Sequence, residues 1–422
     1  MTPTSARSIA GGAVSRRRLL GGVAGLGILG VSGAGLTSCA ANTADTAGSA
    51  EQVVPFHGSR QAGITTDVQD RLAFAAFDVT ATRREDLVNM LKTWTAAAEA
   101  MSRGVMVPGD SHADQVPPAD TGETVGLPPA RLTVTIGFGP ALFDGRFGLA
   151  PRRPTVFAEL PPLPGEILDP ACCGGDIAIQ ACADDPQVAF HAVRNLARLG
   201  RGAVVTRWTQ LGFGRTSATG TGQQTPRNLM GFKDGTRNIR SDDSATLDKF
   251  VWVGAEAGQE WLRGGSYLVA RRIRMFVETW DRDRLSDQEA VFGRAKYTGA
   301  PLTGKAEFEL PDFAARTADG ELTIPDNAHI RLAAFEANDG LRILRRGYSF
   351  TDGIDARTGT LDAGLFFISF QKDPAQFIAL QRKLGQHDAL NEYIRHVGSA
   401  VFACPQGVAD ASGYWGRSLF EG

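Results

Sequence analysis

Cysteine is scarce in this chain of 422 residues, and the five that occur, Cys39, Cys172, Cys173, Cys182 and Cys404, form no C-x-x-C pair. That absence leaves no signal for a zinc site or for the thioether attachment of a c-type haem. Cys172 and Cys173 are adjacent, a placement that disulfide geometry disfavours. With Gly174 and Gly175 they read as a loop before a strand. An excess of either charge is missing too: 44 Lys and Arg stand against 46 Asp and Glu, for a net charge of −2. A nucleic-acid footprint needs a strong basic excess, so the partners implied are small molecules or a second copy of the chain. The long apolar run at 21–36 is rich in Gly. It is less greasy than a membrane helix, which needs about 20 strongly apolar residues.

What is present begins with the arginines ahead of that run. Ser15-Arg16-Arg17-Arg18-Leu19-Leu20 is a charged segment before a moderately apolar one. This is the layout of an export leader in which paired arginines are the element read by the receptor. The alternative is an amino-terminal membrane anchor, which the weak hydrophobicity disfavours. Twin-arginine export carries proteins already folded, often because a cofactor is inserted before crossing. Leu36-Thr37-Ser38-Cys39 resembles a lipobox that would leave Cys39 lipidated, and ordinary cleavage around Ala40-Ala41 competes with it. The leader is assigned to 1–41 and a flexible tether to 42–65.

The remaining chain has ordinary globular composition, and the whole sequence is 43 % hydrophobic and 21 % charged. Residues 71–80 alternate as a strand, and 84–101 form a helix with Leu87, Leu91, Trp94 and Ala98 on one face. Segment 102–129 is a polar loop, 131–138 a strand, and 151–170, with six prolines, irregular. A strand at 176–183, a helix at 186–199 opened by Pro186 and a strand at 203–210 follow. The second half repeats this grammar with strand 267–280, helix 286–294, strand 364–371, helix 374–384 and strand 400–404. D-I-A-I-Q-A-C-A-D-D-P-Q and L-F-F-I-S-F-Q-K-D-P-A-Q agree in outline. Such self-similarity suggests a duplicated unit. The expected fold is α+β, with two ferredoxin-like halves at 66–222 and 223–422, each an antiparallel sheet carrying helices.

Three segments carry candidate chemistry. Gly231-Phe232-Lys233-Asp234-Gly235-Thr236-Arg237-Asn238 reads by itself as a turn in which Asp234 caps its own backbone. His329, in Asn327-Ala328-His329-Ile330-Arg331-Leu332-Ala333, stands at the start of an apolar-alternating run. A lone histidine there is more often structural than a ligand. Arg345 and Arg346, before Gly347-Tyr348-Ser349-Phe350, have the look of a solvated strand end.

Taken in order and with the leader, these segments closely resemble the dye-decolourising peroxidase family, in its twin-arginine-exported deferrochelatase/peroxidase branch. Gly231, Asp234 and Gly235 meet the G-x-x-D-G signature, and the H-I-R-L-A and L-R-R-G-Y-S runs match the branch almost letter for letter. The carboxyl-terminal Gly413-Tyr414-Trp415-Gly416-Arg417-Ser418-Leu419-Phe420-Glu421 is similar as well. The resemblance implies one non-covalent haem b per chain, held in the second half. It makes His329 the proximal iron ligand, Asp234 the distal acid/base, Arg345 the distal arginine and Asn238 a distal asparagine. Arg346 remains the alternative to Arg345. Gly235, Thr236 and Arg237 would lie against the haem, and Asp388 would be the acidic partner of His329. The chain departs from its relatives at Ala334-Phe335-Glu336-Ala337, where the branch carries an Asn-Pro-Arg-like stretch, and its link to Arg345 is shorter. His57, His112, His191, His387 and His396 lie outside the signature segments and read as structural or surface residues.

The implied reaction is reduction of hydrogen peroxide with one-electron oxidation of organic donors such as dyes or phenolics. Cleaving peroxide requires a proton to move between its oxygens, which a positioned carboxylate such as Asp234 can do. Arg345 would place positive charge where negative charge develops. His329 would donate electron density to iron, and Asp388 would strengthen that donation. A carboxylate base in place of a histidine implies activity that favours acidic pH. Two other readings remain: removal of iron from haem with the porphyrin intact, and haem binding or delivery without turnover, which needs neither Asp234 nor Arg345. The branch also brings iron-uptake partners, a homodimer or larger assembly, and a periplasmic, secreted or lipid-anchored location. Trp252, Trp261, Trp280, Tyr267 and Tyr348 are candidate electron exits, although most such residues serve packing.

Overall fold

A computed structural model describes residues 53–422. The paired arginines, Cys39 and the first part of the expected tether lie outside the described residues. The first half runs β1 (Arg71–Val79), α1 (Arg84–Ser102), β2 (Thr133–Phe138), β3 (Ile177–Ala183), α2 (Pro186–Leu199) and β4 (Val204–Arg215). The second contains α3 (Ser244–Phe250), β5 (Ser266–Met275), α4 (Val277–Trp280), α5 (Leu285–Phe292), α6 (His329–Ala333) and β6 (Leu344–Arg345). It continues with β7 (Tyr348–Ile354), β8 (Leu361–Gln371), α7 (Pro374–His387), β9 (Ile394–Cys404) and α8 (Arg417–Glu421).

The duplicated strand–Asp-Pro–helix pattern is a capping device. Asp185 accepts hydrogen bonds from the Gln187 and Val188 amides, with Pro186 in the first turn of α2. Asp373 and Gln376 form a reciprocal capping box on α7, with Pro374 in its first turn. Each half is an antiparallel sheet, ordered β2-β3-β1-β4 in the first and β7-β8-β5-β9 in the second. Counted along the chain, with the two-residue β6 set aside, both read second, third, first, fourth, which is the ferredoxin-like order.

The two sheets then join at both edges. β4 pairs with β7 at Phe213–Ser349, and β2 meets β9 at Phe138–Ala403, closing the strands into a ring. Inside it Phe74 packs on Trp208, Phe366 and Phe402, with ring centroids 5.1, 5.2 and 6.2 Å away. Those four rings come from both halves, so neither half owns this core. Burying such aromatic rings stabilises by about 1.5–3 kcal/mol each, and here that gain depends on the halves being joined.

The outer faces differ, and the difference positions the site. On the first half α1 and α2 cover the sheet, with Leu87, Leu91, Trp94 and Ala98 of α1 all buried and Trp94 5.2 Å from Phe77. The second half has α7 on its sheet but no long helix between β5 and β7. That connection is made of α4, α5, α6 and irregular chain. A cavity opens there.

Three expectations are corrected. The strand expected over 267–280 ends at Met275, and Val277–Trp280 turns into a helix that buries Trp280. The last strand is longer than 400–404 because Ile394–Cys404 pairs with β5 along its length. His329, placed by the sequence at the start of an apolar-alternating run, begins a short helix.

Candidate active site

The cavity has a volume of about 260 Å³ and lies against the outer face of the β5–β8–β9 sheet. Ile273, Met275, Leu365, Phe367 and Ile394 form its sheet wall, and Phe377, Leu380 and Leu384 of α7 another. His329, Asp234, Gly235, Thr236, Arg237, Arg345 and Asp388 all reach it. Segments more than a hundred residues apart in the sequence thus line one space, as Asp234 and Arg345 show at a separation of 111.

Two ion pairs organise it. His329 Nδ1 lies 2.6 Å from Asp388 Oδ2, so Nε2 is the nitrogen left for the cavity. The Asp388 side chain is 3 % exposed, against 29 % for His329. Its other oxygen accepts the Leu390 amide at 2.9 Å, which fixes the carboxylate. Burial opposes charge on His329, but the Asp388 carboxylate outweighs it through its charge and hydrogen bond. Asp234 adds to that pull and Arg345 subtracts, and the imidazole pKa rises above its ordinary value.

The second pair is Arg345 Nη1 to Asp234 Oδ1, at 2.8 Å. Its loop is bent by Gly231 and Gly235, at φ +84° and +104°. At Gly235 a Cβ would also come within 3.0 Å of the Ser217 Cα, so conformation and space both demand glycine. Lys233 and Thr236 are braced by Glu307, at 3.3 and 3.1 Å. Asn228, outside the expected set, accepts the Met230 and Phe232 amides and turns its own amide toward Asp234 Oδ2 at 3.4 Å.

The adjacent arginines part company. Arg346 is fully buried and turned to the first half, where it donates to the Thr66 carbonyl and the Gln69 side chain. Only Arg345 of the two lines the cavity. Asn238 is not among the lining residues. Its amide group bonds both backbone groups of Arg345 at 2.9 Å, so it holds that residue in place. The divergent stretch after the histidine is used as well: Glu336 takes a bidentate pair from Arg237 at 2.7 and 3.1 Å, and Phe335 lies 4.2 Å beneath the same guanidinium.

The family profile described as Dyp-type peroxidase, N-terminal, matches residues 61–214, and the one described as Dyp-type peroxidase, C-terminal, matches 225–409. The chain belongs to the Dyp-type peroxidase family. A deferrochelatase of Shigella flexneri serotype 5b (strain 8401) is 38 % identical over 415 residues, 96 % of this chain and 97 % of the relative. A deferrochelatase of Yersinia pseudotuberculosis serotype I (strain IP32953) is 39 % identical over 420 residues, 96 % and 95 % of the two. Among solved structures, a DyP-type peroxidase from Streptomyces coelicolor superposes with TM-score 0.81 at 39 % identity, covering 88 % of this chain and 98 % of that one. Ferric DtpA from Streptomyces lividans gives 0.81 at 38 %, covering 89 % and 98 %.

The protein is therefore a haem peroxidase, with peroxide and an electron donor as its substrates. The residues fit the cofactor: a broad apolar cavity, one imidazole oriented by a carboxylate, and arginines at its edge suit a planar iron macrocycle with acidic side arms. His396, read from the sequence as a structural or surface residue, also lines the cavity. It is buried, and Arg271 Nε donates to its Nδ1 at 3.2 Å. Burial, then the charges of Arg271 and Arg395, push its pKa down to about 3, so it stays neutral. No local signal distinguished His396 in the sequence, because its surroundings come from other strands and from α7.

Proposed function

We propose that His329 is the iron ligand of this peroxidase, Asp234 its proton carrier and Arg345 the fixed charge beside it. The observation that carries this reading is the convergence on one cavity of two separate pairs, His329–Asp388 and Asp234–Arg345. Bound haem supplies the redox centre at which peroxide is reduced and from which one-electron oxidations proceed. Asp388 keeps the proton on Nδ1, which leaves the Nε2 lone pair available and increases its basicity. Asp234 takes a proton from one peroxide oxygen and returns it to the other. Arg345 holds the Asp234 carboxylate in position and offers positive charge to the oxygen that departs. Asn238 acts through Arg345, and Gly235, Thr236 and Arg237, which line the cavity, would help to hold the cofactor.

Replacing His329 with Ala in purified protein should remove the Soret band at stoichiometric haem. A normal Soret spectrum in that variant would overturn the assignment. A second reading comes from the curated relatives named deferrochelatase: the same cavity releases iron from haem and leaves the porphyrin whole. Accumulation of free porphyrin without added peroxide would support it. The leader 1–41 is taken to direct twin-arginine export, with haem loaded before crossing, and with either lipidation at Cys39 or cleavage near Ala40. The halves 66–222 and 223–422 then form the exported enzyme.

A further inference from the structure

Away from the haem cavity, one more set of ligating side chains converges. Asp120 and Glu123 belong to the 102–129 loop, which has no helix or strand of its own, and His191 belongs to α2. One ligand atom from each lies within 4.8 Å of the others, and no other three His, Cys, Asp or Glu side chains among the described residues come together in this way. None of the three lines the cavity. His191 Nε2 is 2.9 Å from Asp120 Oδ1 and 4.0 Å from Glu123 Oε2. The His191 and Asp120 side chains are 3 % and 2 % exposed, and that of Glu123 is 17 % exposed.

A buried Asp–His pair needs no further partner, but this group holds a second carboxylate. Glu123 Oε1 takes Arg194 Nη1 at 2.8 Å, whereas Oε2 is buried and has no hydrogen-bond partner among the described residues. A buried acceptor without a donor is costly, and a cation beside it satisfies it. The other two ligand groups are held ready. Asp120 Oδ2 accepts the Val107 amide at 2.8 Å and Oδ1 the Gly122 amide at 2.7 Å, which fixes the carboxylate. Thr124 Oγ1, 3.3 Å from His191 Nδ1, can accept a proton there and leave the Nε2 lone pair for a metal. Zinc bonds nitrogen and oxygen at about 2.0–2.2 Å, so tetrahedral geometry sets its ligand atoms ~3.3 Å apart. The observed separations of 2.9 and 4.0 Å fall on either side of that value. One imidazole with two carboxylates suits zinc, whereas calcium and magnesium take shells of about six or more oxygens.

We propose that Asp120 Oδ1, Glu123 Oε2 and His191 Nε2 bind a zinc ion, with water as the fourth ligand, and that this ion clamps the 102–129 loop to α2. Two carboxylates and a neutral imidazole balance a divalent cation, and Glu123 keeps its bond to Arg194 through Oε1. Neighbouring hydrogen bonds already align loop and helix. Arg198 donates to the Pro118 carbonyl at 2.9 Å, and the Asn195 amide to Thr121 Oγ1 at 2.8 Å. Zinc adds coordination bonds across that same seam, from a loop that has no ladder hydrogen bonds to hold it. The clamp acts on the stability of the first half, so it stands or falls independently of the peroxidase reading.

The test uses the haem-loaded protein, treated with a chelator and titrated with zinc chloride, beside Glu123→Gln. Elemental analysis after equilibrium dialysis should find one saturable zinc per chain in the parent. Glu123→Gln still accepts from Arg194 and should bind zinc at least about tenfold more weakly, since losing even an outer partner of a ligand costs that much. At zinc ~100-fold above the dissociation constant the parent should melt about 3–4 °C higher than without zinc, and amide hydrogen exchange should slow within 102–129. Glu123→Gln should lose both effects at the same zinc concentration. Zinc-edge X-ray absorption of the parent, which needs no variant to fold, should show only nitrogen and oxygen neighbours at about 2.0–2.2 Å. No saturable zinc up to ~1 mM, equal affinity in a folded Glu123→Gln protein, or sulfur neighbours at about 2.3 Å would each overturn the site.

Discussion

Replacing Asp388 with Asn tests the site at its most constrained contact. The substitution keeps the size of the side chain and lets its oxygen go on accepting the Leu390 amide, so the local cap survives. The group then facing His329 Nδ1 across 2.6 Å is an amide donor instead of a carboxylate. A donor there requires Nδ1 to be the acceptor and drives the imidazole proton to Nε2, the nitrogen that faces the cavity. Iron binding must then displace that proton or break the new hydrogen bond. Losing a hydrogen bond to a charged group costs about 1.5–3 kcal/mol, which at 1.4 kcal/mol per decade is roughly 10- to 150-fold. Loss of an outer partner of a metal-bound histidine typically costs about 10- to 100-fold in affinity, so the two routes agree. Competition with an apo-haem acceptor, followed at the Soret band, measures the affinity. Thermal unfolding of the haem-free protein checks that the fold is intact. Affinity within twofold of the parent, in a folded Asp388→Asn protein, would refute the role given to this pair.

The other expectations concern the arginines, a glycine and the long loop of the first half. Arg345→Leu should leave the melting temperature within a few degrees and slow the reaction with peroxide by about 10²- to 10³-fold, whereas Arg346→Leu should destabilise by roughly 1.5–3 kcal/mol with the peroxide step spared in whatever protein folds. Stopped-flow kinetics beside urea titration separates the two, and the reverse pattern would reassign the distal arginine. Gly235→Ala should cost about 1–3 kcal/mol from its positive φ alone, more from the Ser217 contact, and lower haem occupancy at equal loading; a neutral effect on both would show that the loop is not held as described. Asp120, buried with His191 at 2.9 Å, anchors segment 102–129 onto α2. Burial opposes its charge, but bonds from His191, the Val107 amide and the Gly122 amide outweigh it and lower its pKa. Its stabilisation is therefore full above the unfolded value of about 3.9 and lost as pH falls through the lower folded one. Asp120→Asn should cost roughly 1–3 kcal/mol at neutral pH and flatten the acid limb of stability against pH, which denaturant titrations across that limb would reveal.

Helix starts were legible because capping acts within three or four residues: Asp185-Pro186 and Asp373-Pro374 announce α2 and α7 without outside help. The ferredoxin-like halves followed from the repetition of that unit. Strand ends were less legible. Nothing in Ile394-Arg395-His396-Val397 looks like a strand until β5 lies alongside and pairs with it. The break after Met275 is set by Trp280 finding Phe232 and Phe292, contacts that the chain near 280 does not encode.

The order of the signature segments was enough to point to the family and to nominate Asp234, His329 and Arg345 as one set, since those motifs are short and local. Tertiary structure alone decided which of the paired arginines faces the cavity, because adjacent residues in extended chain point to opposite faces. It also decided that Asn238 holds the backbone of Arg345, that Asp388 meets a histidine 59 residues away, and that Asp234 meets an arginine 111 residues away. Such pairs form only once the two sheets close on a shared core and the β5–β7 connection leaves its face of the sheet without a long helix. A sequence specifies its short-range contacts directly; its long-range ones depend on the whole fold being in place.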